Sequence, residues 1–178
     1  GIASTMRAVR DASLSQLVAE SRLRLDAMWS LGTTTAEVKT GYGPDTASEL
    51  RMLQAIACLD QEHPIDLVPT FLGAHAVPPE YADHADVYLD TLIEETLPQV
   101  LDWYRQSHFY PRRTPLFADV FCEQKAFDVT RSCRVLKAAQ SAGLPLKAHV
   151  DEFTELGGLA MAIELEAVSV DHLDVTGE

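Results

Sequence analysis

The stretch LPLKAHVDEF (residues 144–153) decides the fold class of this chain. It is typical of a short apolar strand that ends in a histidine, His149, with an acid, Glu152, shortly after it. A second stretch, SVDHL (residues 169–173), ends a further strand in His172. Residues with helical spacing lie between the two. In a parallel α/β barrel the carboxyl ends of all strands meet on one face, so the pattern predicts an active-site rim.

Strands and helices alternate along the whole chain. Strands are predicted at residues 33–40, 65–73, 116–123, 144–150 and 167–173. Helices are predicted over residues 14–31, after the N-cap residue Asp45, over residues 89–104, up to about residue 142, and over residues 155–165. Residues 107–115, SHFYPRRTP, are predicted to form a surface loop. This alternation indicates a parallel sheet with helices outside it.

Five strands cannot close a barrel of eight, so two architectures remain open. An open, doubly wound sheet usually carries a nucleotide-binding glycine motif after its first strand. The turn GYGP (residues 41–44) lacks the G-x-G-x-x-G spacing of that motif. We therefore favour a partial (β/α)8 barrel of about five parallel strands, in which residues 1–178 form a single incomplete domain.

The composition limits the classes of function. The chain has 178 residues, of which 47% are hydrophobic and 23% charged, as expected of one globular domain. A net charge of −13 opposes binding to nucleic acids and anionic membranes. The three cysteines form no C-x-x-C pair, and no apolar run is long enough for a membrane span. We expect a cytoplasmic protein that acts on a small molecule.

Six segments, in this order, resemble one known family. They are TTAEVKTGYG, TFLGAHAVPPEY, DVFCE, KAHVDEF, LGG and DHL, and they lie between residues 34 and 173. Together they resemble imidazolonepropionase, a metal-dependent member of the amidohydrolase superfamily. KTGYG and GAHAVPPEY are specific to that family, whereas a strand that ends in histidine is general to the superfamily.

The resemblance implies a TIM barrel joined to a small β-sandwich. It also implies hydrolysis of the cyclic amide of 4-imidazolone-5-propanoate to N-formimidoyl-L-glutamate in histidine degradation, with zinc or iron as cofactor. His149 resembles the metal ligand from a middle strand, and Glu152 the residue that contacts the substrate ring and helps to move protons. Tyr42 and His75 resemble substrate-binding positions. His172 resembles the catalytic histidine beside the metal.

The chemistry of amide hydrolysis suits these residue types. A metal ion lowers the pKa of a bound water to about 7 and polarises the carbonyl group. Ring opening needs a proton at the leaving nitrogen, for which Glu152 and His172 are the candidates. His75 is a candidate donor to the developing oxyanion, and the phenol of Tyr42 a hydrogen-bonding group for the substrate.

The sequence also departs from the family pattern. The H-x-H pair of the first barrel strand, the aspartate of the last strand and the arginine that would hold the propionate are absent. His149 is thus one of four expected metal ligands, and one imidazole alone holds zinc weakly. We expect an internal fragment that is inactive by itself, from a parent enzyme that includes the missing strands and β-sandwich and forms a homodimer.

Two other functions stay open. One is a different amidohydrolase or deaminase, which would share the metal but differ at Tyr42 and His75. The other is a non-catalytic α/β chain that acts by association and binds no metal. Lys39 and Glu37 are expected to face each other or the solvent. Asp171 is considered as a group that orients His172, although neighbouring residues of a strand point to opposite faces.

Overall fold

A computed structural model describes residues 2–177. Over this range the chain forms five strands and eight α-helices. The strands are β1 (Thr35–Lys39), β2 (Asp66–Ala74), β3 (Phe117–Cys122), β4 (Lys147–Val150) and β5 (Ser169–His172). The helices are α1 (Ile2–Asp11), α2 (Leu14–Ser30), α3 (Thr46–Glu62), α4 (Ala85–Thr91), α5 (Leu97–Gln106), α6 (Phe109–Arg112), α7 (Val129–Ser141) and α8 (Gly158–Glu164). A 3-10 turn (Pro79–Tyr81) precedes α4, and a π-helical turn (Leu92–Thr96) joins α4 to α5.

The five strands form one parallel sheet in the order β1-β2-β3-β4-β5. Each strand therefore lies beside the strand that precedes it in the chain. In a doubly wound sheet the order reverses at a switch point, so this topology excludes that alternative. Helices lie in the connections between successive parallel strands, which is the arrangement of a (β/α)8 barrel. The predicted half-barrel is confirmed.

The two faces of the sheet differ sharply in character. The outer face carries buried apolar side chains, including Leu67, Ala118, Val120, Ala148 and Val150. Helices α3, α7 and α8 pack on β2, β3 and β4 respectively. The inner face carries polar side chains at alternating positions, which the strand register places side by side: Glu37, Lys39, Thr70, Asp119, Lys147, His149 and Asp171. A barrel interior is normally filled with branched apolar residues, so this polar face marks a site.

Side-chain caps fix where three of the helices begin. The backbone N–H of Ser48 donates to Asp45 Oδ1 at 2.8 Å, which confirms Asp45 as the N-cap of α3. Asp128 caps α7 in the same way, and Ser13 forms a capping box with Gln16 at the start of α2. Among residues 2–177, no helix combines the length and apolar character that a membrane span requires.

The segment at residues 107–115 corrects a prediction. It contains helix α6 rather than only a surface loop, and Phe109 is fully buried. Asp60, near the end of α3, accepts hydrogen bonds from His108 Nε2 at 2.7 Å and Arg112 Nη1 at 3.1 Å. These contacts tie α6 to α3. Because the segment is polar and rich in proline, its composition gives no indication that Phe109 is buried.

Two helix bounds also differ from the prediction. Helix α8 begins at Gly158 rather than at residue 155, because residues 151–157 form the loop that follows His149. Helix α1 was not predicted. Its Arg10 forms ion pairs with Asp45 and Glu80, so α1 is held at the strand-end side of the sheet by charged side chains.

Candidate active site

Five rings form a row across the carboxyl ends of the five strands, one ring for each strand. Tyr42 follows β1, His75 follows β2, Phe121 lies in β3, His149 in β4 and His172 ends β5. The ring centroids of neighbours in this row are 4.8, 5.9, 6.3 and 5.4 Å apart, in that order. Four of these rings were singled out from the sequence. Phe121 was missed, because a phenylalanine inside an apolar strand carries no signal of its own.

Lys39 lies at the centre of the polar inner face. Its Nζ donates to Glu37 Oε1, Asp119 Oδ2 and Asp171 Oδ2, each at 2.9 Å. Lys39 and Glu37 thus face each other as predicted, but the sequence did not predict the contacts of Lys39 with Asp119 and Asp171. The three acceptors come from three different strands, and Lys39 joins β1 to β3 and β5.

Charge pairing favours the ionised forms of Lys39, Glu37 and Asp171. Burial of Lys39 favours the neutral amine, but the attraction of Asp119 and the hydrogen bonds to Glu37 and Asp171 raise the pKa of Lys39. Burial of Glu37 favours its protonated form, but hydrogen bonds from Lys147, Thr70 and Lys39 lower the pKa of Glu37 to about 2. Burial likewise opposes ionisation of Asp171, and Lys39 lowers its pKa nonetheless.

His149 is held by carboxylates on both sides of its ring. Its Nδ1 lies 3.1 Å from Oδ1 and 3.0 Å from Oδ2 of Asp119, whose side chain is fully buried. Its Nε2 lies 3.5 Å from Oδ2 of Asp171. A carboxylate bound to Lys39 can only accept, so Nδ1 carries the proton. In the neutral imidazole Nε2 then presents its lone pair.

His172 and Glu152 form the next pair along the row. His172 Nε2 lies 3.4 Å from Glu152 Oε2, and His172 Nδ1 lies 3.6 Å from Asp174 Oδ2. Asp171 points to the inner face instead, toward Lys39 and His149. His172 has a φ of 79°, which is uncommon for a residue with a side chain. At this residue the side chains no longer alternate between the two faces of the sheet, and the imidazole of His172 lies beside that of His149 in the row of rings.

Glu123 holds the loop that carries Glu152. The buried carboxylate accepts from the backbone N–H groups of Phe153 at 3.0 Å and Thr154 at 3.1 Å, and it also binds the Thr154 hydroxyl. Burial alone would raise the pKa of Glu123, but these hydrogen bonds lower it. Glu123 therefore fixes the chain directly after Glu152, a role that the sequence alone does not reveal.

His75 is fixed by the backbone of the loop before it. Its Nδ1 lies 3.1 Å from the carbonyl oxygen of Gly41, which can only accept, so Nδ1 is the protonated nitrogen. Burial lowers the pKa of His75 and favours the neutral ring. Nε2 of this neutral ring accepts hydrogen bonds. Donation from His75 to a substrate oxygen, the role expected from the sequence, would require the disfavoured imidazolium.

One set of side chains in the described range meets the geometric requirement for a metal. Asp119, His149 and Asp171 each offer one donor atom, and these atoms lie within 4.8 Å of one another. Both carboxylates are bound to Lys39, whereas none of the hydrogen bonds formed among residues 2–177 is donated to Nε2 of His149. An imidazole nitrogen flanked by a carboxylate suits zinc and iron. The residues present therefore fit a metal through His149.

These features define a class of protein. A sequential parallel half-barrel, with histidines and carboxylates gathered at its strand ends, is a segment of a (β/α)8-type barrel with its site on the usual face. No protein-family profile matches the chain. Curated relatives do match it over nearly its full length, and all of those compared below bear the same name.

Imidazolonepropionase of Chloroflexus aggregans is 63% identical over 177 residues, which are 99% of this chain and 42% of the relative. That of Herpetosiphon aurantiacus is 52% identical over 176 residues, 99% of this chain and 41% of the relative. That of Halobacterium salinarum is 50% identical over 173 residues, which are 97% of this chain and 39% of the relative. The chain thus spans about two fifths of the length of these relatives. Along nearly its whole length, the chain is therefore similar to one continuous segment of imidazolonepropionases.

Proposed function

We propose that this chain forms part of a longer enzyme that hydrolyses the cyclic amide of 4-imidazolone-5-propanoate to N-formimidoyl-L-glutamate in histidine degradation. The observation that carries the proposal is the row of rings at the strand ends, with Glu152 beside His172. Similarity to imidazolonepropionases along nearly the whole chain supports it. The cytoplasm is the proposed location, and a homodimer of the longer protein stays a prediction.

His149 is the proposed metal ligand of this segment. Its Nε2 is the nitrogen available for a zinc or iron ion, and Asp171 is the carboxylate nearest to that nitrogen. A metal held there supplies Lewis-acid polarisation of the amide carbonyl and activation of a water molecule. Since catalytic zinc sites use about three protein ligands, further ligands would come from the rest of the longer protein.

The pair of Glu152 and His172 is the proposed proton carrier. In hydrolysis the water oxygen adds to the carbonyl carbon, the carbon–nitrogen bond breaks, and the leaving nitrogen takes up a proton. A carboxylate 3.4 Å from an imidazole can remove the proton from the water and return one to the nitrogen. Glu123 keeps Glu152 within reach by binding the next two backbone N–H groups.

Tyr42 and His75 are the proposed substrate-binding groups, together with Glu152. The phenol of Tyr42 can donate to a ring oxygen, and Nε2 of His75 can accept from a ring N–H. The substrate also bears a propionate, which needs a cation. Lys39 and Lys147 are already paired with carboxylates, so we assign the propionate to a cation outside this segment.

The test compares this chain with the full-length protein that contains it, in metal content and in hydrolysis of imidazolone propionate. We expect about one metal ion per full-length chain and hydrolysis by that protein alone. Metal binding without hydrolysis of this substrate would indicate a different amidohydrolase or deaminase. Absence of metal from the full-length protein would favour a non-catalytic role.

Substitutions test the substrate more narrowly. Tyr42→Phe and His75→Gln are each expected to weaken the use of imidazolone propionate without changing the metal content. His84→Gln is the matched control, because His84 is exposed and lies outside the row of rings. Equal activity of all three variants would contradict the assignment of Tyr42 and His75.

A further inference from the structure

The loop between β1 and α3 passes unusually close to β2. Gly41 has a φ of 98°, and a Cβ atom at this position would lie 2.5 Å from the carbonyl oxygen of Leu72. The preceding residue is also bound to β2, since the N–H of Thr40 donates to the carbonyl oxygen of Thr70 at 3.0 Å. The backbone of the loop is therefore closely confined against β2, and this confinement fixes the position of the backbone from which the Tyr42 side chain extends.

A buried carboxylate anchors this loop from the side of α3. Oε1 of Glu49 accepts from the N–H of Gly41 at 3.0 Å and from the N–H of Gly43 at 3.1 Å, and Oε2 lies 3.2 Å from the same Gly41 nitrogen. The side-chain oxygen of the neighbouring Thr40 accepts from the N–H of Leu72 at 3.0 Å. Glu49 thus binds the backbone on both sides of Tyr42.

Glu49 is an energetically unfavourable choice of residue for this buried position. It is 1% exposed, and no ion pair within residues 2–177 includes it. Burial of an acid without a cation is unfavourable, and a glutamine would fill the same space without a charge. The one oxygen of a glutamine can accept from both N–H groups in the place of Oε1, but its NH2 group would then take the place of Oε2, 3.2 Å from the Gly41 nitrogen, where a donor faces a donor. The carboxylate instead presents an acceptor at both places, so that Gly41 N–H meets Oε1 and Oε2 while Gly43 N–H meets Oε1.

The anchored peptide leads directly to two of the proposed substrate-binding residues. The N–H of Gly41 binds Glu49, and the carbonyl oxygen of the same residue accepts from His75 Nδ1 at 3.1 Å. The ring of Tyr42 meets that of His75 edge to face, with centroids 4.8 Å apart. The position of the Gly41 backbone therefore sets the position of both rings.

We propose that Glu49 is a positioning residue that holds Tyr42 and His75 in their substrate-binding arrangement by fixing the backbone of Gly41 and Gly43. Glu49 itself does not touch the substrate. The part of this inference that concerns substrate binding rests on the function proposed above, whereas the part that concerns the loop stands on the contacts alone.

The test uses Glu49→Gln in the full-length protein, with Asp60→Asn as the matched control. Asp60 is also a buried acid that binds a backbone N–H, that of Leu67, but it lies at the far end of α3. Glu49→Gln is expected to raise the KM for imidazolone propionate about tenfold, as for one lost hydrogen bond, with little change in metal content. Asp60→Asn is expected to leave KM unchanged.

A second measurement separates the two parts. Amide hydrogen exchange at Gly41 and Gly43 is expected to accelerate at least about tenfold in Glu49→Gln and to stay unchanged in Asp60→Asn. In addition, Tyr42→Phe is expected to raise KM less in the Glu49→Gln background than in the unsubstituted protein. If Glu49→Gln does not fold, Glu49→Asp, which keeps the charge but withdraws it from the loop, is used for the same measurements.

The outcomes are distinct. Unchanged exchange at both glycines overturns the role of Glu49 in the loop, whatever the activity. Accelerated exchange with an unchanged KM, in a protein that hydrolyses imidazolone propionate, overturns its role in substrate binding. If the unsubstituted protein lacks that activity, the proposed function fails, and the exchange measurement together with the contact between the Tyr42 and His75 rings still decides whether Glu49 holds them.

Discussion

Asp119 accepts the Nδ1 proton of His149 and thereby determines which nitrogen of that ring is free. The two side chains lie on neighbouring strands, with Nδ1 3.1 Å from Oδ1 and 3.0 Å from Oδ2. Asp119 is also fixed by Lys39 and is fully buried. The imidazole thus has one orientation and one neutral tautomer, with Nε2 toward Asp171. Carboxylates that orient metal-binding histidines commonly affect metal affinity.

Asp119→Asn is therefore expected to weaken metal binding by about 10- to 100-fold in the full-length protein. The amide can donate to Nδ1 and so stabilise the wrong tautomer of His149. Competition with a chelator measures the affinity. Asp128→Asn is the control, because Asp128 is an exposed N-cap and asparagine caps equally well. Equal affinity of both variants would show that Asp119 does not act on the metal site.

Lys39→Met is expected to lower the free energy of unfolding by about 2–3 kcal/mol, because it leaves the buried Asp119 beside Asp171 and Glu37 without their shared cation. Chemical denaturation of the full-length protein measures this change. Lys125→Met, at an exposed position, is expected to change the stability by less than about 0.5 kcal/mol. A double variant with Asp119→Asn should lose less stability than the sum of the two single variants.

Gly41→Ala is expected to lower the stability by about 2 kcal/mol or more, since it combines an unfavourable positive φ with a Cβ atom 2.5 Å from the Leu72 carbonyl oxygen. Gly143→Ala separates the two effects. Gly143 has a φ of 86°, but a Cβ there would meet nothing within 4 Å. Gly143→Ala should lower the free energy of unfolding by about 1 kcal/mol. Equal losses in denaturation would mean that the loop relaxes away from β2.

The stability of the protein should carry a pH dependence that originates in Glu49. Burial, together with the nearby Asp45, raises the pKa of Glu49 from 4.5 to about 7, against the opposing hydrogen bonds from Thr40, Gly43 and Gly41. Between these pH values the folded state holds more protons on Glu49 than the unfolded state does. The contribution of this group to stability therefore falls as the pH rises.

The contribution of Glu49 can be isolated by comparing the Tm of the unsubstituted protein with the Tm of the Glu49→Gln variant. Between about pH 5 and about pH 7.5, the Tm of the unsubstituted protein should fall relative to the Tm of Glu49→Gln, because all other titrating groups are shared. A constant difference between the two Tm values would show that Glu49 ionises at the same pH in the folded and unfolded states.

Glu152→Gln and His172→Asn are each expected to lower kcat by about 10²- to 10⁴-fold, as for loss of a proton-transfer group, with the metal content retained. Steady-state kinetics and metal analysis of the full-length protein measure both quantities. His84→Asn serves as the control at an exposed histidine. If the activity survives in both variants, the proton carrier is another group; if the metal is lost with His172, that residue acts as a ligand.

The fold was largely predictable because each strand is a short run rich in apolar or β-branched residues and each helix a local periodic pattern. The alternation predicts parallel strands, since parallel neighbours need a crossover helix, and the turn GYGP, which lacks the nucleotide-binding glycine spacing, favoured the barrel order over a doubly wound one. The errors lie where composition and burial disagree. Phe109 is fully buried within a segment rich in proline and arginine, and it turns part of an expected loop into α6.

The site was predictable only in part, for a different reason. Residues such as His149 and His172 stand at strand ends, where position alone indicates chemistry. Lys39 and Asp119 lie inside strands and gain their roles from partners far along the chain: Lys39 is 80 residues from Asp119 and 132 from Asp171. Only the strand register brings these charges together, and a single sequence does not state that register.

The neighbour-by-neighbour order of the sheet has a consequence for how the protein is made. Each strand pairs with the strand synthesised just before it, so no strand of this segment must wait for a distant partner. During translation the β2 unit can dock on β1, and the later units can add in turn, as N-terminal parts leave the ribosome first. Lys39 and Asp119 would then meet when β3 docks, and Asp171 would join them last. The charge network is therefore completed by the final strand of the segment, late in its biosynthesis.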